Sequence, residues 1–222
     1  MIEVVLGKIR QAISFKKRNL ITVTNSDSVI SDEFRKIRTN IQFLSEGKES
    51  QAYLMTALGM REGTSTITAN LAVMMAQQKE KTLLIDANIR DPAIHHLFEH
   101  ANQVGLVDVL LEKATIQQAI RPTEIGDLDV MTSGLTSANP TELLGSEKMT
   151  DLLKAVKENY HTVLIDSPTL LKTTEARVLA TQCDGVILIL NRGKTRLDKT
   201  VEARKTLEFA QANLVGTILN DK

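Results

Sequence analysis

Apolar residues fall along the chain in short runs that alternate with amphipathic stretches. The runs KTLLIDA (81–87), HTVLIDS (161–167) and DGVILIL (184–190) have no polar face, which is typical of strands buried on both sides of a parallel sheet. Three further strands are predicted at AYLMTAL (52–58), LDVMTSG (128–134) and LVGTILN (214–220). The chain therefore has six predicted strands with apolar centres.

Helical segments lie between several of these strands. They include SDEFRKIRTNIQFLS, starting at Ser31, the stretch 65–79, and EKMTDLLKAVKEN (147–159). Alternating strands and helices predict an α/β fold: a doubly wound, mostly parallel sheet with helices on both faces. Ligands of such sheets bind beyond the carboxyl ends of the strands. The side chains that fall there are Thr56, Asp86, Asp166 and Asn220.

Composition excludes little. The 27 basic and 27 acidic residues cancel, so net charge gives no argument for a nucleic-acid partner. The single cysteine, Cys183, rules out an internal disulfide framework and is consistent with a reducing, cytoplasmic compartment. No apolar run approaches the ~20 residues of a spanning helix, and no signal peptide is visible.

The first 18 residues, MIEVVLGKIRQAISFKKR, combine apolar positions at helical spacing with five basic side chains. One interpretation is a terminal helix that packs on its own domain or on a neighbour. The other is a basic amphipathic helix that contacts a membrane surface or a membrane partner.

The stretch TALGMREGTSTITANLA (56–72) joins a predicted strand to a predicted helix, where a phosphate-binding loop belongs. Ser65 occupies the position of the hydroxyl that binds Mg²⁺ in the pattern G-x-x-x-x-G-K-[ST]. Leu58 replaces the first glycine of that pattern, and Thr64 replaces the lysine that reaches the β- and γ-phosphates. The loop alone is equally compatible with an ordinary strand–helix turn.

Two carboxylates follow apolar strands. Asp86 in LLIDANIRDP stands where it can reach a metal ion or an attacking hydroxyl, or merely cap the next segment. Asp166 in VLIDSP ends an apolar run, as the Mg²⁺-holding aspartate of a Walker B strand does. The loop and the two aspartates together indicate nucleotide binding.

At this point the chain resembles the bacterial tyrosine kinases of capsule and exopolysaccharide synthesis, the BY-kinases, which are relatives of Min/Par-type ATPases. The similarity runs from about Ser28 to Asn220. It implies that residues 28–222 form a BY-kinase-like, P-loop NTPase-like nucleotide-binding domain, preceded by an amphipathic partner-contact segment at residues 1–27. The segments that carry it are SDEFRKIRTNIQF, REGTSTITANLA, LLIDANIRDPAIHHLF, SANPTELLGS, VLIDSP and CDGVILILNRGKT.

The resemblance implies ATP and Mg²⁺ as cofactors and assigns roles by position. The nucleotide would be bound by Arg61, Glu62, Gly63, Thr64, Ser65, Thr66 and Asn220. Catalytic positions would be Asp86, Asn88 and Asp166, and the metal ligands Ser65, Asp86 and Asp166. A ring-forming helix motif would contain Asp32, Arg35 and Arg38, which fall roughly on one helix face.

The resemblance also implies a partner and a location. A membrane-embedded activator or adaptor of polysaccharide export would complete the nucleotide site, and self-association is expected. The protein would be cytoplasmic, associated with the membrane through that partner.

Three departures from the family pattern fall on the chemistry. Thr64 replaces the loop lysine, Asn88 replaces the second aspartate of its segment, and Arg61 stands at a family glycine. Removing one preorganised charge contact of this kind costs ~10²–10³-fold in rate. We therefore expect a tyrosine-kinase homologue with impaired catalysis, or alternatively a pseudokinase that regulates an active paralogue or the export complex. Arg61 would either compensate for the lysine or distort the loop.

Other features lead to weaker hypotheses. The chain ends at LNDK without a tyrosine cluster, and Tyr53 and Tyr160 lie in or beside strands, so neither resembles a tail substrate. His96 and His100 are spaced i, i+4, but no carboxylate or cysteine completes a metal site with them. A divergent Min/Par-type partitioning ATPase would share the fold, but would not be expected to carry both SDEFRKIRTN and ANPTELL.

Overall fold

The computed structural model describes residues 20–45, 47–136 and 139–221. Their strands are β1 (Gln51–Ala57), β2 (Thr82–Asp86), β3 (Ile120–Pro122), β4 (Leu128–Met131), β5 (Thr162–Asp166), β6 (Gly185–Asn191) and β7 (Leu214–Asn220). They form one sheet in the order β3-β4-β2-β5-β1-β6-β7, and every neighbouring pair is parallel except β3 with β4. The predicted doubly wound, mostly parallel sheet is confirmed.

Helices cover both faces of this sheet. They are α1 (Ile21–Thr24), α2 (Val29–Leu44), α3 (Thr64–Ala76), α4 (Ile94–Leu97), α5 (Leu106–Leu110), α6 (Ile116–Ala119), α7 (Pro140–Leu144), α8 (Glu147–Lys157), α9 (Thr174–Ala180) and α10 (Leu197–Phe209). Helices α2, α3 and α4 share one apolar cluster, and α5 through α10 contribute to the other. The sheet separates the two clusters, because successive residues of a strand, such as Leu54 and Met55, point to opposite faces.

The strand predictions differ from the structure mainly at their ends. The predicted strand 128–134 stops at Met131, because Ser133 and Gly134 bond to the Asn102 side chain instead of to a neighbouring strand. Strand β3 was not predicted, since its three residues include only one aliphatic side chain and end in proline. Proline is tolerated there because β3 is an edge strand.

Two helix starts differ slightly from their predictions. Helix α2 begins at Val29, two residues before the predicted start, because the Ser28 hydroxyl accepts the Ser31 backbone N–H at 3.2 Å and caps the helix. Helix α3 begins at Thr64 and ends at Ala76, three residues before the predicted end.

The described end of the predicted N-terminal segment packs on the domain. Thr22 is fully buried, and its backbone N–H and hydroxyl both donate to the Asn70 side chain of α3, at 3.1 and 3.0 Å. Leu20 is buried beside it. Residues 1–19 lie outside the described residues, so the amphipathic helix predicted for 1–18 stays a prediction. None of the described helices is long and apolar enough to span a bilayer.

Candidate functional site

Two carboxylates meet at the carboxyl edge of the sheet. Asp86 ends β2 and Asp166 ends β5, and the two residues are register partners in adjacent parallel strands. Both are fully buried. The sequence predicted each aspartate at a strand end, and the structure brings them side by side.

Asp86 is held by the chain that follows it. Its Oδ1 accepts the Asn88 backbone N–H at 3.1 Å, and its Oδ2 accepts those of Ala93 and Ile94 at 3.0 Å each. Burial raises the pKa of Asp86 to about 6, the three N–H groups oppose this rise, and the Asp91 charge adds to it. Asp86 therefore does cap the next segment, and it does so beside Asp166.

Asp166 has no such support. Neither of its carboxylate oxygens has a hydrogen-bond partner among the described residues. Burial and the neighbouring Asp86 charge raise its pKa well above the usual range, while a weak interaction with the Ser65 side chain opposes the rise. A buried, unpaired carboxylate is unfavourable by several kcal/mol unless a cation or proton accompanies it.

The loop between β1 and α3 lies beside these carboxylates. Gly63 precedes the helix with φ of 88°, and a Cβ there would lie 3.1 Å from the Asn220 amide nitrogen. Helix α3 starts at Thr64 without a side-chain cap, so its first backbone N–H groups are available to an anion. Ser65 and Thr66 belong to this first turn, and all three hydroxyl residues are partly exposed.

Glu62 braces the loop. Its carboxylate accepts the Leu58 backbone N–H and the Thr195 hydroxyl, both at 3.1 Å, and its carbonyl accepts the Asn220 side-chain amide at 3.0 Å. The Thr195 hydroxyl also accepts the Asn191 backbone N–H at 2.8 Å. The ends of β6 and β7 are thus tied to the loop. Thr195 was not predicted, although it follows a buried strand and the strand-end rule would have pointed to it.

Arg61 lies at the turn of the loop. It is exposed and has φ of 59°, the left-handed region that favours glycine. It makes no ion pair or side-chain hydrogen bond with the described residues. Four other cations, Lys172, Lys194, Arg196 and Lys199, line a cleft of about 310 Å³ that also touches Gly59 and Glu62 of the loop.

The segment after β2 is fixed by a second contact. Asn88 is partly exposed, and the nearby Arg90 donates through Nε and Nη2 to Glu175 Oε1 of α9, at 2.8 Å each. Glu175 is 3% exposed. This pair, which was not predicted, holds the segment that supplies N–H groups to Asp86.

Mg²⁺ and a phosphate chain fit most of these groups. Asp166 offers unpaired oxygens, Ser65 lies close to it, and the turn at Gly63 presents a helix N-terminus. Among the residues that the structure describes, no group of three or more histidine, cysteine, aspartate or glutamate side chains is placed to hold a metal. The same holds for groups that contain His95, His96 or His100. This is compatible with Mg²⁺, which prefers one or two carboxylates together with phosphates and water. Position 64 does not fit this ligand, because Thr64 stands where a lysine would contact the phosphates.

The proposed interface residues are divided between two environments. Asp32 and Arg35 form an ion pair on the outer side of α2, where Arg35 also donates to the Ser26 carbonyl at 2.7 Å. Arg38 instead donates to the Met74 carbonyl at 3.3 Å, and its Nε is buried without a partner in the described chain. Two of the three residues are therefore accessible to a neighbour.

Comparison with known proteins identifies relatives over nearly the whole chain. A family model described as an AAA domain matches residues 61–213. The tyrosine-protein kinase YwqD of Bacillus subtilis (strain 168) is 39% identical, covering 93% of this chain and 87% of that protein. The putative tyrosine-protein kinase CapB of Staphylococcus aureus is 33% identical, covering 87% and 85%.

Solved structures similar to this chain include a protein of similar sequence and a more distant one. The chimerical protein CapA2B2 superposes with a TM-score of 0.87 at 36% identity, covering 92% of this chain and 90% of that one. The septum site-determining protein MinD of Pyrococcus horikoshii OT3, complexed with Mg-ADP, has a TM-score of 0.67 at 23% identity and covers 77% and 70%. The second match shows the fold alone.

Proposed function

The chain belongs to the bacterial tyrosine-kinase family of P-loop ATPases, and from this premise we propose that it binds ATP with Mg²⁺ and phosphorylates protein tyrosine slowly. Its setting would be the regulation of capsular or exopolysaccharide synthesis or export. Arg61, Glu62, Gly63, Thr64, Ser65, Thr66 and Asn220 would surround the nucleotide. Ser65, Asp86 and Asp166 would hold the metal.

The buried, unpaired carboxylate of Asp166 carries this proposal. Two neighbouring buried carboxylates repel each other, and an unpaired one is costly to keep, so the pair is explained best by a cation that binds there. Bound Mg²⁺ would neutralise phosphate charge as the γ-phosphoryl group is transferred. Asp86, held by three N–H groups, would be positioned to accept a hydrogen bond from the attacking hydroxyl.

The impairment is argued from the loop. Threonine at position 64 has neither the reach nor the charge of lysine, and Asn88 brings no negative charge to the metal side. Phosphoryl transfer depends mostly on positioning and charge stabilisation. We therefore expect a rate ~10²–10³-fold below that of a relative with an intact loop.

A pseudokinase is the second candidate, and Thr64 is the observation that favours it. In that case the fold and its partner surfaces would regulate an active paralogue or the export complex. Asp166 argues for the enzyme, since a site that binds no metal gains nothing from a buried carboxylate that has no hydrogen-bond partner in the described chain.

The proposed setting includes partners. We expect a cytoplasmic protein that meets a membrane-embedded activator or adaptor of polysaccharide export and associates with copies of itself through Asp32, Arg35 and Arg38. Residues 1–18 would add contact with that partner or with the membrane surface. Relatives named as tyrosine-protein kinases, CapB of Staphylococcus aureus and CpsD of Streptococcus agalactiae, support this setting only at the level of the family.

Calorimetric titration with ATP and Mg²⁺ tests the proposal on the wild-type chain, Thr64→Lys and Asp166→Asn. We expect wild-type binding that depends on Mg²⁺, and no Mg²⁺ dependence in Asp166→Asn. Phosphorylation of a glutamate–tyrosine copolymer should be slow in the wild type and ~10²–10³-fold faster in Thr64→Lys. Wild-type binding without any phosphorylation, with activity in Thr64→Lys, would favour the pseudokinase.

A further inference from the structure

Arg61 stands apart from the other residues with strained backbone. Five non-glycine residues of the described chain have positive φ, and the list is Arg61, Lys79, Glu99, Glu112 and Gln211. The last four follow the C-termini of α3, α4, α5 and α10, where a left-handed residue commonly ends a helix. Arg61 has no such role, because it lies in the loop between β1 and α3.

A bulky residue in this conformation is unfavourable, and such strain persists where the residue serves a function. Glycine would adopt the same turn without strain. The brace from Glu62 to Leu58 and Thr195 holds the loop without any contribution from the side chain at position 61. The side chain of Arg61 therefore contributes something that the turn itself does not need.

Arg61 also carries a charge without a counter-ion. Its side chain is exposed, and it has no ion-pair or hydrogen-bond partner among the described residues. It lies three residues before Thr64, on the same loop that presents the N-terminus of α3. An unpaired guanidinium next to a phosphate-binding loop without a lysine has one evident complement, a phosphate oxygen.

We propose that Arg61 replaces the missing loop lysine and binds the β- and γ-phosphates of ATP. A guanidinium binds phosphate oxygens through a rigid, planar pair of donors, whereas a lysine ammonium binds as a compact point charge with three rotatable donors, so the substitution alters the geometry of binding as well as its position. The inference rests on the proposed function, since it concerns the same nucleotide site. It makes this chain an ATP-binding protein with a relocated cation.

Arg61→Gly tests the inference because it separates strain from binding. The variant should melt ~2–4 °C above the wild type, as the left-handed strain is released. Its affinity for ATP and Mg²⁺ should fall ~10- to 100-fold, as expected for the loss of charge-assisted hydrogen bonds. A variant that is both more stable and a weaker binder cannot be explained by misfolding.

Three further variants complete the design. Arg61→Lys should bind with intermediate affinity, and Arg61→Gly combined with Thr64→Lys should recover wild-type affinity. Lys194→Ala, which removes a neighbouring cation of the cleft, should bind as the wild type does. Equal ATP affinity in the wild type and Arg61→Gly, or a loss confined to Lys194→Ala, would overturn the inference and leave the proposed function standing. No wild-type binding, with binding by Thr64→Lys, would overturn both.

Discussion

Single residues of the same type differ sharply in their surroundings at this site. Asp86 and Asp166 are both buried aspartates at strand ends, but only Asp86 receives hydrogen bonds from the backbone. The first carboxylate is therefore part of the fold as well as of the proposed chemistry. The second carboxylate, that of Asp166, lowers the stability of the fold when no metal is bound.

Replacing each aspartate by asparagine should separate these two roles. Asp86→Asn turns an NH₂ group toward backbone N–H donors, so we expect it to lower the free energy of unfolding by ~1–3 kcal/mol. Asp166→Asn removes a buried charge that has no partner, so the metal-free protein should be as stable as the wild type or more stable. Urea unfolding at pH 7 without Mg²⁺ measures both.

Addition of ATP and Mg²⁺ provides the control for this pair. The wild type should gain stability in proportion to ligand concentration, whereas Asp166→Asn should gain little. A large loss of stability in metal-free Asp166→Asn would contradict the assignment, because it would mean that the carboxylate has a structural partner.

Much of the site at the level of residues could be predicted from the sequence. Asp86 and Asp166 follow apolar runs, and strand ends of an α/β sheet collect functional groups. Their pairing could not be predicted, because the chain places strands β3 and β4 and several helices between β2 and β5, and only the folded sheet makes the two aspartates neighbours. The contacts of Glu62 with Thr195 and Asn220 span 133 and 158 residues and leave no local pattern.

Among the elements, the segment between β2 and α4 is held to α9 by an ion pair, which we call the clamp. Arg90 of this segment is paired with Glu175 near the start of α9. Burial raises the pKa of Glu175, but hydrogen bonds from its own backbone N–H, from Arg90 and from Thr141, together with the Arg90 charge, bring the net pKa below 4.5. The clamp is therefore charged at neutral pH.

Glu175→Gln should weaken this clamp in a pH-dependent way. The folded-state pKa is lowered, so the carboxylate stabilises the fold above pH 4.5, and this contribution is lost as the pH falls through the folded pKa. Because Arg90 is 59% exposed, solvent screening limits the loss in the variant to ~1 kcal/mol at pH 7. Unfolding of wild type and variant should converge as the pH falls through the lowered folded-state pKa of Glu175.

Glu202→Gln is the matched control for the clamp. Glu202 pairs with Lys199 on the exposed side of α10, where ion pairs contribute little. It should leave unfolding unchanged at every pH. A pH-independent loss in Glu175→Gln would show instead that packing, and not the charge, stabilises this contact.

Elements as a class were easier to predict than their ends. The buried strands lack a polar face, and this signal survives in the sequence whatever the topology. Strand β3 escaped prediction because Ile120, Arg121 and Pro122 pair with β4 only through tertiary context. The early start of α2 depends on a cap by Ser28, a serine that local pattern does not distinguish from Ser31.

For the whole molecule, the exposed side of α2 is the surface that favours the proposed self-association. The start of α2 exposes Val29 and Ile30, at 76% and 52%, beside the Asp32–Arg35 ion pair. Exposed aliphatic groups rimmed by a charged pair are typical of a protein–protein interface. Arg38, turned toward Met74, would support the helix from behind rather than contact a neighbour.

We therefore predict that self-association depends on the outer side of α2. Val29→Ser combined with Arg35→Glu removes an apolar contact and reverses one charge, so the dissociation constant should rise at least ~10-fold, which corresponds to ~1.4 kcal/mol. Lys36→Glu is the control, since Lys36 pairs with Glu33 one position further round the same helix. Sedimentation velocity over a concentration series, with thermal unfolding run in parallel, separates lost association from lost folding. If the double variant associates as the wild type does, copies of the chain meet through another surface; if Lys36→Glu dissociates equally, general charge and not this face governs association.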